Sequence, residues 1–188
     1  AVWPWGAYLG REALERGVRC TISRWRRIDP DTMPPQAKAT ANYANSALAK
    51  LDALDRGFDE AIMLNTRGTV CEGSGENIFI VKDGVLTTTS EESGALMGIT
   101  QDSVMRIARD LGFTVRMGII TVEELLEADE VFLTGTAAEV TPIREIDGQA
   151  IGAGVRGPIT EKIQSKFFQV VRGENEKYIK WLSFVYPR

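Results

Sequence analysis

The amino-acid sequence predicts a mixed α/β or α+β fold. Short strand-like runs alternate with helix-like runs along all 188 residues, and no internal repeat, low-complexity tract or linker interrupts them. Hydrophobic residues make up 44% and charged residues 26% of the chain, close to globular averages. A chain of this length buries roughly 70% of its unfolded surface. These observations predict one ordinary globular domain, or two small ones.

Seven runs have the alternation or the β-branched composition of strands. The turn at residues 82–84 (Lys-Asp-Gly) joins two of them into a hairpin, and Asp147-Gly148 joins another two. The predicted strands cover residues 18–23, 61–64, 77–81, 85–88, 130–133, 140–143 and 149–151.

Four segments have the spacing of helices. The first runs from about residue 38 to residue 56 and stops at Gly57, with its apolar side chains on one side. Thr100 is the predicted N-cap of the second helix, which ends at Gly112. The apolar side of the first helix consists of Ala44, Ala47, Leu48, Leu51 and Leu54.

The other two helices have clear start signals. Thr121 and Glu124 have the spacing of a capping box before a short third helix. Pro158 stands where the first residue of a fourth helix belongs, and apolar residues recur at helical spacing from there until Gly173.

Histidine is absent from the sequence, which excludes several classes of catalytic site. Ser-His-Asp and Cys-His nucleophile systems, His-ligated zinc and His proton shuttles all need that side chain. No metal site is predicted, and any chemistry depends on Lys, carboxylates, Tyr, Cys or a cofactor. The 22 basic and 26 acidic residues give a net charge of -4, which offers no field for a polyphosphate backbone. We expect no nucleic-acid partner and, since no apolar run is long enough to span a bilayer, no membrane.

Two cysteines, Cys20 and Cys71, are too few for a disulfide framework and form no Cys-x-x-Cys pair. No signal peptide precedes Ala1. These features predict a reduced, cytoplasmic protein. The chain opens on Val-Trp-Pro-Trp as if already inside a folded element, so we expect an upstream segment.

Lys38 has the most unusual neighbours of the seven lysines. Residues 34–42 read PPQAKATAN, with small or uncharged side chains and no Asp or Glu. Such neighbours leave room for a flat ring, and partial desolvation of the ammonium makes the amine more nucleophilic. The alternative, a solvent-facing lysine on an alanine-rich helix, is the more common case.

Residues 69–77 (TVCEGSGEN) contain a Gly-x-Gly pattern that superficially matches a dinucleotide-binding loop. Such a loop needs a third glycine at the start of a helix, but Ile78 occupies that position and a strand-like run follows. A nucleotide fold is therefore disfavoured. The remaining interpretations are a carboxylate at the end of a strand, with Glu72 and Glu76 available to meet a cation, or only a tight turn with exposed acids.

Two loops have the composition of anion sites. Residues 98–100 offer N–H groups and a hydroxyl at a helix N-terminus, and residues 134–137 follow a strand and are rich in small donors. Each is also compatible with an ordinary cap or turn. Together with a lysine and a carboxylate they meet the needs of pyridoxal phosphate: an amine for a Schiff base, an acid for the pyridine nitrogen and a phosphate cradle.

Several motifs extend this agreement over nearly the whole chain: WPWGAYLG at 3–10, AKATANY at 37–43 and TGTAAEVTP at 134–142. The most specific run is EGSGENIF from Glu72, followed by LTT and by LMGIT, which ends at Thr100. In these motifs the chain resembles the branched-chain amino-acid aminotransferases of the class IV pyridoxal-phosphate family. The resemblance implies the large domain of that fold over residues 1–188, a mixed sheet or pseudo-barrel flanked by helices.

Two positions depart from the family pattern. Gln101 stands where the family carries Lys or Arg, and Met97 stands where relatives often have Pro. We expect Gln101 to point to solvent from the first turn of a helix, without loss of activity. Met97 is expected to loosen the entry to the phosphate loop.

Carried over residue by residue, the resemblance makes Lys38 the Schiff-base lysine and the carrier of the proton between the α-carbon and C4′ of the cofactor. It implies that Tyr43 hydrogen-bonds the phenolic oxygen and that Glu72 pairs with the pyridinium nitrogen. The other implied contacts are Ile99, Thr100 and Thr136 to the phosphate, and Thr136 and Ala137 to the substrate carboxylate.

The resemblance also implies an activity: transamination of leucine, isoleucine or valine with 2-oxoglutarate, through pyridoxamine phosphate, in a homo-oligomer. The family's N-terminal small domain, which supplies a phosphate-binding arginine, is not in this sequence. We expect residues 1–12 to lie close to the inter-domain connector, and the chain alone to have weak activity or none. The alternatives are a D-amino-acid aminotransferase, an aminodeoxychorismate lyase, or a non-catalytic folding or oligomerisation fragment.

Overall fold

The computed structural model describes Val2, Gly6 and residues 8–186, so half of the WPWGAYLG motif lies outside the described residues. Among the described residues nine strands form one sheet. They are β1 (Val18–Ile22), β2 (Glu60–Leu64), β3 (Val70–Gly73), β4 (Asn77–Lys82), β5 (Val85–Thr89), β6 (Thr114–Gly118), β7 (Glu130–Gly135), β8 (Glu139–Ile146) and β9 (Gln149–Ala150).

The sheet mixes parallel and antiparallel pairs. Its order is β3-β2-β1-β8-β7-β4-β5-β6, with β9 paired to β8. Strand β1 is parallel to both neighbours and β6 is parallel to β5, whereas the other pairs are antiparallel. Both predicted hairpins are confirmed. Their turns place Asp83-Gly84 and Asp147-Gly148 at positive φ, the conformation that a two-residue hairpin turn requires.

Five helices accompany the sheet in the described part of the chain. They are α1 (Arg11–Arg16), α2 (Thr40–Asp55), α3 (Ile99–Asp110), α4 (Val122–Leu126) and α5 (Pro158–Val171), with short 3-10 turns at Glu91–Ser93 and Glu176–Trp181. The predicted capping box of α4 and the first-position proline of α5 are confirmed. None of the described helices has the length and apolar character needed to cross a bilayer.

The core lies on both faces of the sheet, because successive side chains of the central strands point to opposite sides. On β4, Ile78 and Ile80 join one apolar cluster, whereas Phe79 joins a second cluster under α3 and α5. Phe79 stacks on Phe132 of β7, with ring centres 4.9 Å apart. The first cluster also contains residues of β1, β2 and β3, so the sheet curves around it as a half-barrel. The predicted mixed α/β class is confirmed.

Two details of the predicted helices are wrong. Helix α3 begins at Ile99, and its N-cap is Gly98 in an extended conformation, so Thr100 is the second helical residue and not the cap. The leucines at 48, 51 and 54 of α2 face solvent and are 46–58% exposed. Small side chains on the opposite side, Ala49 and Ala53, are fully buried against the apolar residues of β2, because they let the helix approach the sheet closely.

Candidate active site

Lys38 lies at the end of the segment that connects β1 to α2, two residues before the helix begins. Its Nζ lies 5.6 Å from the centre of the Tyr43 ring, on the first turn of α2. The side chain of Lys38 is exposed. The partial desolvation expected from its small neighbours is therefore not seen within the described residues, where the side chain stays exposed beside the Tyr43 ring.

Asn42 fixes the backbone that precedes Lys38. Its side chain is 1% exposed, and its Nδ2 donates to the carbonyl oxygens of Pro34, at 3.1 Å, and Ala37, at 2.8 Å. Because Asn42 belongs to α2, these bonds tie the turn before Lys38 to the helix that follows it. The position of the Lys38 backbone is thus set from both sides.

Glu72, on β3, is buried and paired with Arg27 of the β1–α2 segment. Arg27 Nε lies 2.6 Å from Glu72 Oε1, and Glu72 Oε2 accepts a hydrogen bond from the Leu96 N–H at 3.1 Å. Burial raises the pKa of Glu72, while Arg27 and the Leu96 N–H oppose that rise by favouring the carboxylate. The sequence did not indicate which cation Glu72 meets, and in the structure that cation is Arg27.

The first turn of α3 presents two free backbone donors. Within residues 8–186, the N–H groups of Ile99 and Thr100 have no acceptor, and the first bond into the helix runs from Asp102 N to Gly98 O at 3.0 Å. The N-terminus of a helix carries a partial positive charge and attracts anions. This turn is therefore able to bind an anionic group, as the sequence predicts.

Gln101 does not point to solvent, contrary to the expectation above. It is 1% exposed, and its Nε2 donates to Thr88 Oγ1 at 2.9 Å and to Thr89 O at 3.1 Å. Its Oε1 accepts from the Gly98 N–H at 3.3 Å. The side chain faces inward because the buried side of α3 packs against β5, and these bonds fix the start of the helix on the sheet.

The turn between β7 and β8 brings a second set of donors beside α3. Thr136 and Ala137 are exposed, while Thr134 is fully buried. Among the described residues, Thr134 Oγ1 has no hydrogen-bond partner. A buried hydroxyl without a partner costs free energy, so this one favours a polar ligand atom beside it.

These parts enclose one cavity of about 310 Å³. Helix-terminal and turn donors, the Glu72 carboxylate and the Lys38 amine all line it, which suits a ligand with an anionic tail, a protonatable ring nitrogen and a group that reacts with an amine. Its volume lies in the usual range for small-ligand sites. A cavity of about 960 Å³ between α1 and α5 is larger but lacks Lys38 and Glu72. The predicted cofactor contacts that line the smaller cavity are Lys38, Tyr43, Glu72, Ile99, Thr100 and Thr136.

A neighbouring cavity of about 500 Å³ shares several of these walls. Lys38 and Thr136 line both cavities, whereas Ala137 lines only this second one of the two. The two residues predicted to meet the substrate carboxylate, Thr136 and Ala137, are therefore placed together, within the same cavity as the Lys38 amine. Tyr8 and Lys50 close its other side.

Glu76 separates the two cavities and is 4% exposed. Burial and the nearby Glu60 carboxylate raise its pKa to about 8, although the Gly75 N–H donates to its Oε2 at 3.0 Å. Glu60 itself is fully buried and pairs with Lys50 at 2.7 Å. Glu76 is therefore a neutral acid at pH 7, whereas the sequence offered it as a partner for a cation.

We expect Glu76→Gln to flatten the pH dependence of the unfolding free energy. The folded-state pKa of Glu76 lies above its unfolded value, so between about pH 4.5 and 8 the folded chain holds a proton that the unfolded chain has released. The stability of the parent chain falls across this range as pH rises, by at most about 1.4 kcal/mol per unit. Urea unfolding at successive pH values measures the slope, with exposed Glu174→Gln as the control. An unchanged slope in Glu76→Gln contradicts this assignment.

Four residues of the site escaped the sequence analysis. Each of these residues bonds to a partner 5 to 61 positions away in the sequence, and no local spacing indicates such a pair. For one of them a signal existed: an arginine stands eleven positions before the lysine. They are Arg27, Gln36, Asn42 and Asn77.

The chain is similar to several known proteins. The amino-transferase class IV family model matches residues 1–146. The branched-chain-amino-acid aminotransferase of Escherichia coli (strain K12) is 48% identical over 185 residues, which is 98% of this chain and 60% of that protein.

Solved structures give the same result. The branched-chain aminotransferase of Thermoproteus uzoniensis with norvaline matches with a TM-score of 0.93 and 52% identity, over 99% of this chain and 60% of that one. The Thermobaculum terrenum branched-chain amino acid aminotransferase in its PLP-form matches with a TM-score of 0.89 and 40% identity, over 93% and 57%. The chain spans 57–60% of the length of these relatives.

Proposed function

The chain belongs to the class IV aminotransferase family, and from that premise we propose that it is the large, cofactor-binding domain of a pyridoxal-phosphate enzyme that transaminates leucine, isoleucine and valine with 2-oxoglutarate. The observation that carries the proposal is the single cavity lined by Lys38, by Glu72 and by the free N–H groups of α3. An amine, a buried acid and an anion site in one cavity are what this cofactor requires.

The fit of the cofactor is supported by two kinds of donor left without acceptors among the described residues. The N–H groups of Ile99 and Thr100 suit its phosphate, and Thr134, whose buried hydroxyl has no partner among these residues, lines the same cavity. When bound, pyridoxal phosphate supplies an electron sink for the negative charge that develops at the α-carbon of the amino acid. Thr136 adds a hydroxyl to the phosphate side of the cavity.

Glu72 holds a proton on the ring nitrogen. Arg27, at 2.6 Å, favours the carboxylate form of Glu72 against the burial that opposes it. A carboxylate in this environment attracts the positive charge of a protonated ring nitrogen strongly, because little water screens the interaction. Tyr43, on the first turn of α2, lines the cavity and would offer its hydroxyl to the phenolic oxygen.

Lys38 provides the amine that takes up and returns the proton. It lines both cavities, so its amine would be able to reach a ring bound in one and a substrate bound in the other. Thr136 and Ala137 line the second cavity and orient the substrate by its carboxylate. A positioned acid–base group contributes roughly 10²–10⁴-fold to a rate.

The same premise extends to the assembly. The complete enzyme contains an N-terminal small domain that adds further walls to the second cavity, and it works as a homo-oligomer in the cytoplasm. The share of the relatives' length that this chain spans, 60% for the Escherichia coli protein, supports the additional domain. Cys20 and Cys71 are both buried and unbridged, as in a reducing compartment.

Borohydride trapping in the complete gene product tests the proposal. Reduction in the presence of pyridoxal phosphate is expected to attach the cofactor to Lys38, as read by peptide mapping. A panel of L- and D-amino acids with 2-oxoglutarate then measures the substrate class. Attachment at another lysine overturns the site, and preference for a D-donor overturns the branched-chain assignment.

A further inference from the structure

Segment 95–98, which leads into α3, has several of its backbone polar groups bound by side chains that lie outside the segment. Asn77 Nδ2 donates to Leu96 O at 2.7 Å, and Glu72 accepts from the Leu96 N–H. Gln101 accepts from the Gly98 N–H. The segment has no ladder of its own, so its position depends on these side chains.

Gln36 binds this segment at two points. Its Nε2 donates to Ala95 O at 2.7 Å, and its Oε1 accepts from the Met97 N–H at 3.1 Å. One amide group thus pairs with two alternate residues in the manner of a neighbouring strand. Gln36 lies two positions before Lys38, so it connects the lysine segment directly to the segment that carries the anion site.

Met97 makes this connection possible because it has a backbone N–H. Proline at this position would remove that donor and fix the local φ angle instead. In this chain the N–H is present, and the Gln36 side chain holds it. The loosening expected from Met97 is therefore offset by a hydrogen bond that links two segments.

We propose that Gln36 is a positioning residue: by pairing with Ala95 and Met97 it sets the distance between the Lys38 amine and the N–H groups of Ile99 and Thr100, and so the tightness with which the site holds a phosphate. The proposal rests on the function proposed above. It assigns to Gln36 no contact with the ligand.

Loss of the Gln36 amide leaves one donor and one acceptor of the segment without a partner, which weakens the segment's bound position. Gln36→Ala is expected to weaken binding of pyridoxal 5′-phosphate about tenfold, whereas binding of pyridoxal, which lacks the phosphate, changes less than about twofold. A merely structural role would weaken both ligands alike.

A double-mutant cycle with Met97→Pro tests the link itself. Proline needs no acceptor, so the double variant Gln36→Ala/Met97→Pro is expected to bind pyridoxal 5′-phosphate within about threefold of the parent, tighter than Gln36→Ala alone. Gln36→Glu keeps the acceptor for Met97 but loses the donor to Ala95, and we expect an intermediate loss. Gln149→Ala, which removes a comparable bond to Leu126 O on the exposed surface, is the control.

Amide hydrogen exchange of the complete protein without cofactor provides a readout independent of the proposed function. Gln36→Ala is expected to speed exchange at Met97 and Gly98 about tenfold and to leave the buried turns of α5 unchanged. The proposal is overturned if the effects of Gln36→Ala and Met97→Pro on pyridoxal 5′-phosphate binding simply multiply in the double variant. It is also overturned if Gln36→Ala leaves exchange at Met97 unchanged. If no variant nor the parent binds pyridoxal 5′-phosphate, the proposed function fails, while the exchange result still decides the role of Gln36 in holding the segment.

Discussion

Lys38→Ala is expected to reduce amino transfer by the complete protein by about four orders of magnitude or more, since a positioned acid–base group alone contributes up to that factor. The variant also loses the amine that, in the proposed function, binds the cofactor covalently. Binding of the phosphate by α3 does not need Lys38, so we expect the variant to retain noncovalent pyridoxal phosphate. Steady-state transamination and absorbance of the dialysed protein measure the two effects.

Exposed Lys180→Ala is the matched control and is expected to leave both measurements unchanged. Because Lys38 is exposed, its removal should shift the thermal unfolding midpoint little. Transamination by Lys38→Ala within tenfold of the parent would place the reacting amine elsewhere, and the proposed mechanism would then be wrong.

Arg27→Met is expected to lower the unfolding free energy by about 3–5 kcal/mol, because it leaves the buried Glu72 carboxylate without its cation. The bond from Arg27 Nη1 to Asn42 O is lost as well. Without Arg27 the pKa of Glu72 rises further above its unfolded value. The deficit is therefore largest at neutral and alkaline pH and shrinks as pH falls and Glu72 takes up a proton.

Two further variants separate the charge effect from lost packing. In Arg27→Met/Glu72→Gln the orphaned charge is gone, so the double variant is expected to be more stable than Arg27→Met at pH 8. Arg26→Met changes an exposed neighbour and should stay within about 0.5 kcal/mol of the parent. Chemical denaturation measures all three. Equal stability of Arg27→Met at pH 5 and pH 8 contradicts a charge-based loss.

Hairpins and strands of this fold could be predicted from sequence because their signals are local. Asp83-Gly84 and Asp147-Gly148 lie between alternating runs, and both turns form as expected. Strand β6 (Thr114–Gly118) was missed because it is an edge strand whose side chains are mostly exposed, which removes the apolar alternation. Helix α1 was missed because none of its side chains is buried.

The buried side of α2 was mispredicted for a related reason. Large apolar residues usually mark the core, yet here Ala49 and Ala53 are buried while Leu51 is 58% exposed. Close approach to β2 favours small side chains, and composition alone does not reveal which side approaches. Thr100 was taken as a cap for its residue type, although the cap is set by the backbone of Gly98 and by the Gln101 side chain.

The residues of the candidate site also differ in how much local sequence signal they carry. Lys38 and Glu72 could be selected as candidates because they fall in motifs whose order and spacing resemble a family. Arg27 and Gln36 could not, because their roles exist only after folding brings residues 27 and 72, or 36 and 97, together. Gln101 was misjudged since its orientation depends on how α3 packs on β5.

Glu72 connects the two ends of the site, the Arg27 side and the turn that begins α3. One of its oxygens is held by Arg27 and the other by the backbone of Leu96, only three residues ahead of the anion-binding turn. The distance between the Glu72 carboxylate and the N–H groups at the start of α3 thus depends on the contacts of this one carboxyl group. In the proposed function, analogues with a longer arm between ring and anion would have to stretch both of these bonds together, so we expect them to bind more weakly.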